Sequence, residues 1–350
     1  MFDVFACFKR LFKIDNVCID NKMFHLHYKA TVIILMIFSV VVTCRQYIGD
    51  SIHCIFHDIS LHAMDTLCWS RLKRHMDIEV MQPGVDTQVN HSKSVMYKYY
   101  HWVCFILFLQ AILFYVPRYL WKTWEGGRIK MLVQDLNNPF VDKDRKTERK
   151  RLLVDYFVVN LHTQNYYAFR FFFCEVLNFV NVVGQFFFMD YLFDGEFGTY
   201  GFDVFRFMGM QPEDSNDPMS RVFPKRAKCT VYKFGVSGSI QKYDGMCVLP
   251  LNIVNEKIYV FLWFWFVFLS VLTGVWLLYR LVVIFIPKVR LYLLRGKYKI
   301  AHQKDVETIN SWCKIGDWYL FYQMSKNMDM LIGREVISDL ANKLEGRETV

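Results

Sequence analysis

YKYYHWVCFILFLQAILFYVPRYLWKTWEGG, residues 97–127, is the stretch on which the fold turns. From Val103 to Val116 it has no charged residue, and Gln110 is its one strongly polar side chain. The run from Trp102 to Tyr119 makes about 27 Å of helix, enough to cross the hydrocarbon core of a bilayer. Its ends carry amphipathic aromatic residues, Tyr97, Tyr99, Tyr100 and Trp102 on one side and Tyr115, Tyr119, Trp121 and Trp124 on the other. Such rings suit the two membrane interfaces. Arg118, Lys122, Arg128 and Lys130 then place the Gly127 end in the cytoplasm.

Composition agrees with that reading. The chain is 54% hydrophobic, with 33 Phe in 350 residues and a positive mean hydropathy, too apolar for an ordinary soluble domain. Its 21% charged residues need sizeable aqueous loops. The net charge of +9 would suit nucleic acid, but the basic residues gather beside the apolar runs and read as orientation signals and lipid contacts.

Three further spans follow the pattern, giving an all-α polytopic membrane protein with spans at 28–47, 102–121, 171–193 and 258–286. The last is long enough to tilt or to project beyond the membrane. For their length, residues 1–29, 122–170 and 287–350 are richer in Lys and Arg than residues 48–101 and 190–257. The richer segments, with both termini, are therefore expected in the cytoplasm, and the other two become extracellular loops. Residues 1–27 lack a cleavage site, because Lys9, Arg10 and Lys13 interrupt the apolar residues. Val4, Phe5, Phe8, Leu11 and Phe12 instead share one face of an amphipathic helix, which can lie on the inner leaflet or line a pore.

Four of the ten cysteines, Cys54, Cys68, Cys229 and Cys247, fall in the two outer loops, where oxidation favours disulfides. Their spacing leaves three pairings open. Cys7, Cys18, Cys44, Cys104, Cys174 and Cys313 read as free thiols.

Residues 99–127, quoted above, resemble the second span of innexins, the invertebrate gap-junction proteins related to pannexins. FFFCEVLNFVNVVGQFFFMDYLFDGEF at 171–197 resembles their third span. FPKRAKCTVYKFGVSGSIQKYDGMCVLPLNIVNEKIYVFLWFWF at 223–266 resembles their second extracellular loop and fourth span, and GDWYLFYQMSKNMD at 316–329 their cytoplasmic tail.

The resemblance implies a ring of identical or related innexin subunits, an octamer, around an aqueous pore in the plasma membrane. A second ring in the apposed membrane docks through the outer loops, and ions and small metabolites pass down their gradients. It implies bridges between the loops, Cys54 with Cys247 and Cys68 with Cys229. It also implies an inward-folded funnel carried by Met1, Phe2, Asp3, Val4 and Phe5. Asp3 then either forms a ring of carboxylates that biases the pore toward cations or simply favours the positive end of a short helix. The runs Cys229–Phe234 and Ser239–Tyr243 flank the turn-prone residues 235–238 and suit edge recognition during docking.

Other residues carry two readings each. Pro117 marks a gating hinge or, the reading preferred here, the end of the second helix. His101 replaces an amide of the family pattern and could titrate or be a tolerated interfacial residue. Glu175, Asn178, Asn181 and Gln185 share one face of the third span and line a pore or, preferably, bond between helices, with Arg170 near enough to pair with Glu175. Asn90 heads a glycosylation sequon on the outer side, where a glycan would hinder docking and favour an unpaired hemichannel. The run Lys143–Arg151 contacts anionic lipid or extends the third helix. His53, His57 and His62 give one HxxxH spacing, too little for a metal centre. With no phosphate loop or nucleophile elbow, no enzyme chemistry, cofactor, metal or nucleic-acid partner is expected. The expected function is a gap-junction channel subunit; the alternatives are a solitary hemichannel and a four-span adhesion or scaffold protein.

Overall fold

The computed structural model describes residues 17–49, 52–55, 65, 68–69, 102–134, 136, 143–209, 218–234 and 237–348. The expectations for residues 1–5, Asn90, His57, His62 and His101 lie outside the described residues.

Four helices are long and apolar enough to cross a bilayer: α1 (Lys22–Tyr47), α2 (Val103–Glu125), α5 (Asn165–Leu192) and α8 (Pro250–Phe285). Hydrocarbon offers a backbone N–H or C=O no partner, so each run must satisfy its own hydrogen bonds as a helix. Between and after them come α3 (Arg128–Val133), α4 (Lys143–Val159), α6 (Phe197–Met208) and α7 (Pro218–Val222). The chain closes with α9 (Pro287–Lys297), α10 (Gln303–Trp312), α11 (Ile315–Met324) and α12 (Met330–Glu348).

The helices overrun the apolar stretches that announce them. At 36 residues α8 is about 54 Å long, well beyond the hydrocarbon thickness, with Pro250 in its first turn. The preferred reading of Pro117 as the end of α2 does not hold, because the helix continues through it to Glu125. There the Glu125 carboxylate accepts from Gly127 N (2.7 Å) and Ile129 N (2.7 Å), closing α2 and opening α3. Trp121 is fully buried instead of lying in an aromatic belt. In α1 the first turns contain a π-helical segment, Leu26–Thr31, that buries His27 and Thr31.

The chain divides into two compact units whose borders fall inside the four long helices. One takes residues up to Thr31, Leu113–Asn181 and from Ser270 onward. Its core holds Phe24, Trp121, Phe171, Trp318, Tyr319 and Phe321, with Phe157 stacked on Phe321 at 4.0 Å. The basic run at the start of α4 does not extend α5, because a run of turns separates the two helices at 160–164. Instead α4 packs against α12, with Lys150 paired to Glu335 and Asp155 to Lys343. The second unit takes Val32–Ile112 and Val182–Leu269. It contains a three-stranded antiparallel sheet of order β1 (His53–Ile55), β3 (Ile240–Val248), β2 (Arg226–Phe234). The same unit contains an aromatic cluster of Phe193, Phe197, Phe223 and Tyr259.

Gly316, in the first turn of α11, lets that helix touch the backbone that leads into α5. A Cβ there would fall 2.3 Å from Gln164 C and Asn165 N. Gly316→Ala should therefore lower the thermal midpoint of the purified protein, at a cost of about 1–3 kcal/mol. Gly346→Ala, with nothing near the added carbon, should leave the midpoint within error; detergent-solubilised melting followed by size exclusion reads both.

Candidate functional site

The two segments expected to form outer loops meet in the sheet. Its register sets Cys54 opposite Cys247, and the structure bonds Cys54 to Cys247 and Cys68 to Cys229. The two bridges lie side by side, since the sulfurs of Cys54, Cys68 and Cys247 fall within 4.8 Å of one another. Both bridges consume thiols that a metal would need, so this cluster is covalent bracing. His53 is an exposed residue of β1, where a helical HxxxH site cannot form. Around the bridges pack Ile52, Ala227 and Leu249, with Trp69 at the edge. Asp65 Oδ1 accepts from Cys54 N at 2.9 Å.

Strand alternation divides the faces. Cys54 and Cys247 are buried, while their neighbours Ile55 and Met246, opposite each other in the register, are exposed. Tyr232 and Ile240, further out on the β2–β3 hairpin, are exposed as well. The braced sheet thus presents apolar side chains to its surroundings.

At the start of α1, in the other unit, the segment Cys18–Asn21 is held from every side. Cys18 N donates to Asn327 Oδ1 (2.6 Å), and Asn327 Nδ2 donates to Cys18 O (2.8 Å). Ile19 O accepts from Gln323 Nε2 (3.0 Å) and Trp121 Nε1 (3.1 Å). Asp20 pairs with Arg118 in burial, and its carbonyl accepts from Lys326 Nζ at 3.3 Å. Asn21 caps α1 by accepting from Phe24 N at 2.8 Å, while its amide nitrogen donates to Glu175. Cys18–Asn21 is therefore tied to α2, to α5, to α11 and to the turn after it.

Glu175 is the centre of this anchor. Its oxygens accept from Arg280 Nε and NH2, both at 2.7 Å, from Trp276 Nε1 at 2.9 Å and from Asn21. Arg170, the partner the sequence offers, instead lies over the rings of Tyr166 (4.1 Å) and Trp124 (5.8 Å). Asn178 and Gln185 are buried in the chain's own packing, so this face of α5 looks inward. His27 Nε2 meets Thr273 Oγ1 at 2.8 Å, a second polar link between α1 and α8 that periodicity alone did not signal.

A cavity of about 30 Å³, room for a water or two, adjoins the anchor between Arg280, Lys326, Tyr279 and Gln323. Burial beside it pulls the Lys326 ammonium down to about 8, and the cations Arg280 and Lys297 nearby act in the same direction.

The family model described as Innexin matches residues 20–344. Innexin inx2 of Schistocerca americana is 62% identical over the whole of both chains. Innexin inx2 of Drosophila melanogaster is 58% identical over 99% of this chain and 97% of its own. Innexin shaking-B of the same fly is 45% identical over 98% and 95%.

Removing one partner of the buried pair should harm more than removing both. Glu175→Leu leaves Arg280 uncompensated and should cost about 3–5 kcal/mol, whereas adding Arg280→Met should restore most of the lost thermal midpoint. Lys326 gives a pH dependence of known sign. The folded state releases its proton near 8 and the unfolded chain near the ordinary 10.5, so the unfolded state binds more protons in between. Stability should rise with pH across that window relative to a Lys326→Met variant, as melting curves from pH 7.5 to 10 would read.

Proposed function

The chain belongs to the innexin family of gap-junction channel proteins, and on that premise we propose that it assembles with identical or related subunits as a ring, an octamer, that docks onto a second ring through the braced sheet. In this reading both termini are cytoplasmic, and the sheet faces the gap between two plasma membranes. Met1–Phe5 line the pore, with the Cys18–Asn21 anchor fixing where that lining begins. Ions and small metabolites then pass passively between cells. Cyclic symmetry is the ordinary route by which one chain builds a closed ring.

The observation that carries the docking role is the single sheet built from both outer-loop segments. Three residues of β1 would be marginal as a strand by themselves. Two covalent links to β3 and β2 keep them in register, and the links span 193 and 161 residues of chain. Loops that long lose much unfolded-state freedom when closed, which favours a rigid surface in the folded protein. The exposed Ile55, Met246, Tyr232 and Ile240 supply apolar area of the kind that protein contacts cover.

Paired cells expressing this chain alone, recorded for both transjunctional and single-membrane current, test the proposal. Wild type should give junctional current, and Cys54→Ser or Cys229→Ser should reduce it to background while surface delivery persists. Single-membrane current without coupling would select the solitary hemichannel. No current from a delivered, ring-sized assembly would mean that the chain needs a related partner subunit or that the adhesion reading has to be taken up.

A further inference from the structure

The helix α6 has three faces, and its neighbours account for only one. Phe197, Tyr200, Gly201 and Val204 recur at i, i+3, i+4 and i+7 and are buried. Thr199, Asp203 and Arg206 form an exposed polar strip. Phe202, Phe205 and Met208 form the third face, where they are 67%, 71% and 69% exposed. An apolar stripe of this size on an ordered helix calls for an occupant.

Contacts within the same unit show where the stripe lies. Gly201 brings the α6 backbone so close to Trp263 of α8 that a Cβ would sit 2.1 Å from the indole. Trp263 Nε1 donates to Gly198 O at 3.3 Å, and Phe202 meets the indole edge-on at 4.9 Å. On its other side Trp263 touches Phe264 at 5.0 Å, and Phe264 is an exposed residue of the span. The stripe on α6 is thus continuous with the outward surface of a membrane-crossing helix.

We propose that α6 is an interfacial helix whose Phe202, Phe205 and Met208 face enters the lipid at the boundary of acyl chains and headgroups. The partner is the lipid surface, with Asp203 and Arg206 directed toward headgroups and water. Amphipathic helices of this pattern lie in the interface plane. A second copy of the chain would cover the same stripe only if the ring contact interrupted the lipid-facing surface that Phe264 continues. The role goes beyond docking, and it rests only on the four-span architecture.

The test uses the full-length assembled protein in phosphatidylcholine vesicles, with p-benzoylphenylalanine in place of Phe205, of Met208 or, as the control, of Thr199. After irradiation, intact mass should show one phosphatidylcholine added at positions 205 and 208 and essentially none at 199. A covalent dimer on a denaturing gel would overturn the proposal in favour of a contact between subunits. Unmodified chains at both 205 and 208, under conditions where the probe labels a lipid-facing residue of α8 such as Phe264, would overturn it in favour of a face turned to water. Position 208 keeps the result readable if the probe at 205 disturbs the helix.

Discussion

A carboxylate that cannot reach water is the constraint around which this chain is arranged. Glu175 sits in a span, where an unpaired charge is expensive. It is neutralised by Arg280 through two parallel hydrogen bonds and completed by Trp276 and Asn21. The consequence is geometric as well as energetic. Asn21 spends its oxygen capping α1 and its nitrogen on Glu175, so the pair that joins α5 to α8 also fixes where the first span starts. Gln323 of α11, with Lys326 and Asn327 of the turn after it, continues the same anchor, so this part of the C-terminal region is hydrogen-bonded to the entry of the first span.

The other unit solves a different problem with different chemistry. Its sheet is too small to be held by strand pairing, and the residues around the bridges make only a minor core. Covalent links take the place of burial, which leaves the far face of each strand free to carry apolar groups. One unit is thus held by a deep aromatic and ionic core, and the other adds to its own aromatic cluster cross-links that brace the sheet.

The four spans were legible because hydrocarbon length and apolar composition are properties of a contiguous run, which a sequence displays directly. The β2–β3 hairpin was legible in part, from β-compatible residues around Gly235 to Gly238, although the strands extend further than those residues suggested. What the sequence hid was long-range pairing. Arg280 lies 105 residues from Glu175, and Arg170, five residues away, was the local candidate; helix geometry turned Arg170 onto aromatic rings instead. The strand β1 was invisible because three residues carry no periodicity, and it exists only by pairing with β3. Pro117 misled because its missing N–H suggests a stop, yet a helix packed on its neighbours can continue past one lost bond. Trp121 misled in the same way, as an interfacial residue by composition and a core residue by contact.

The central claim is that the segments carrying Cys54 with Cys68 and Cys229 with Cys247 form one covalently closed surface. Non-reducing peptide mapping of the purified protein tests it most directly. Mass spectrometry should recover Cys54 linked to Cys247 and Cys68 linked to Cys229, each dissolving into two peptides on reduction. Recovery of Cys54 linked to Cys68 and Cys229 linked to Cys247 would contradict the account, because each loop would then be stapled to itself and the sheet would no longer be one surface.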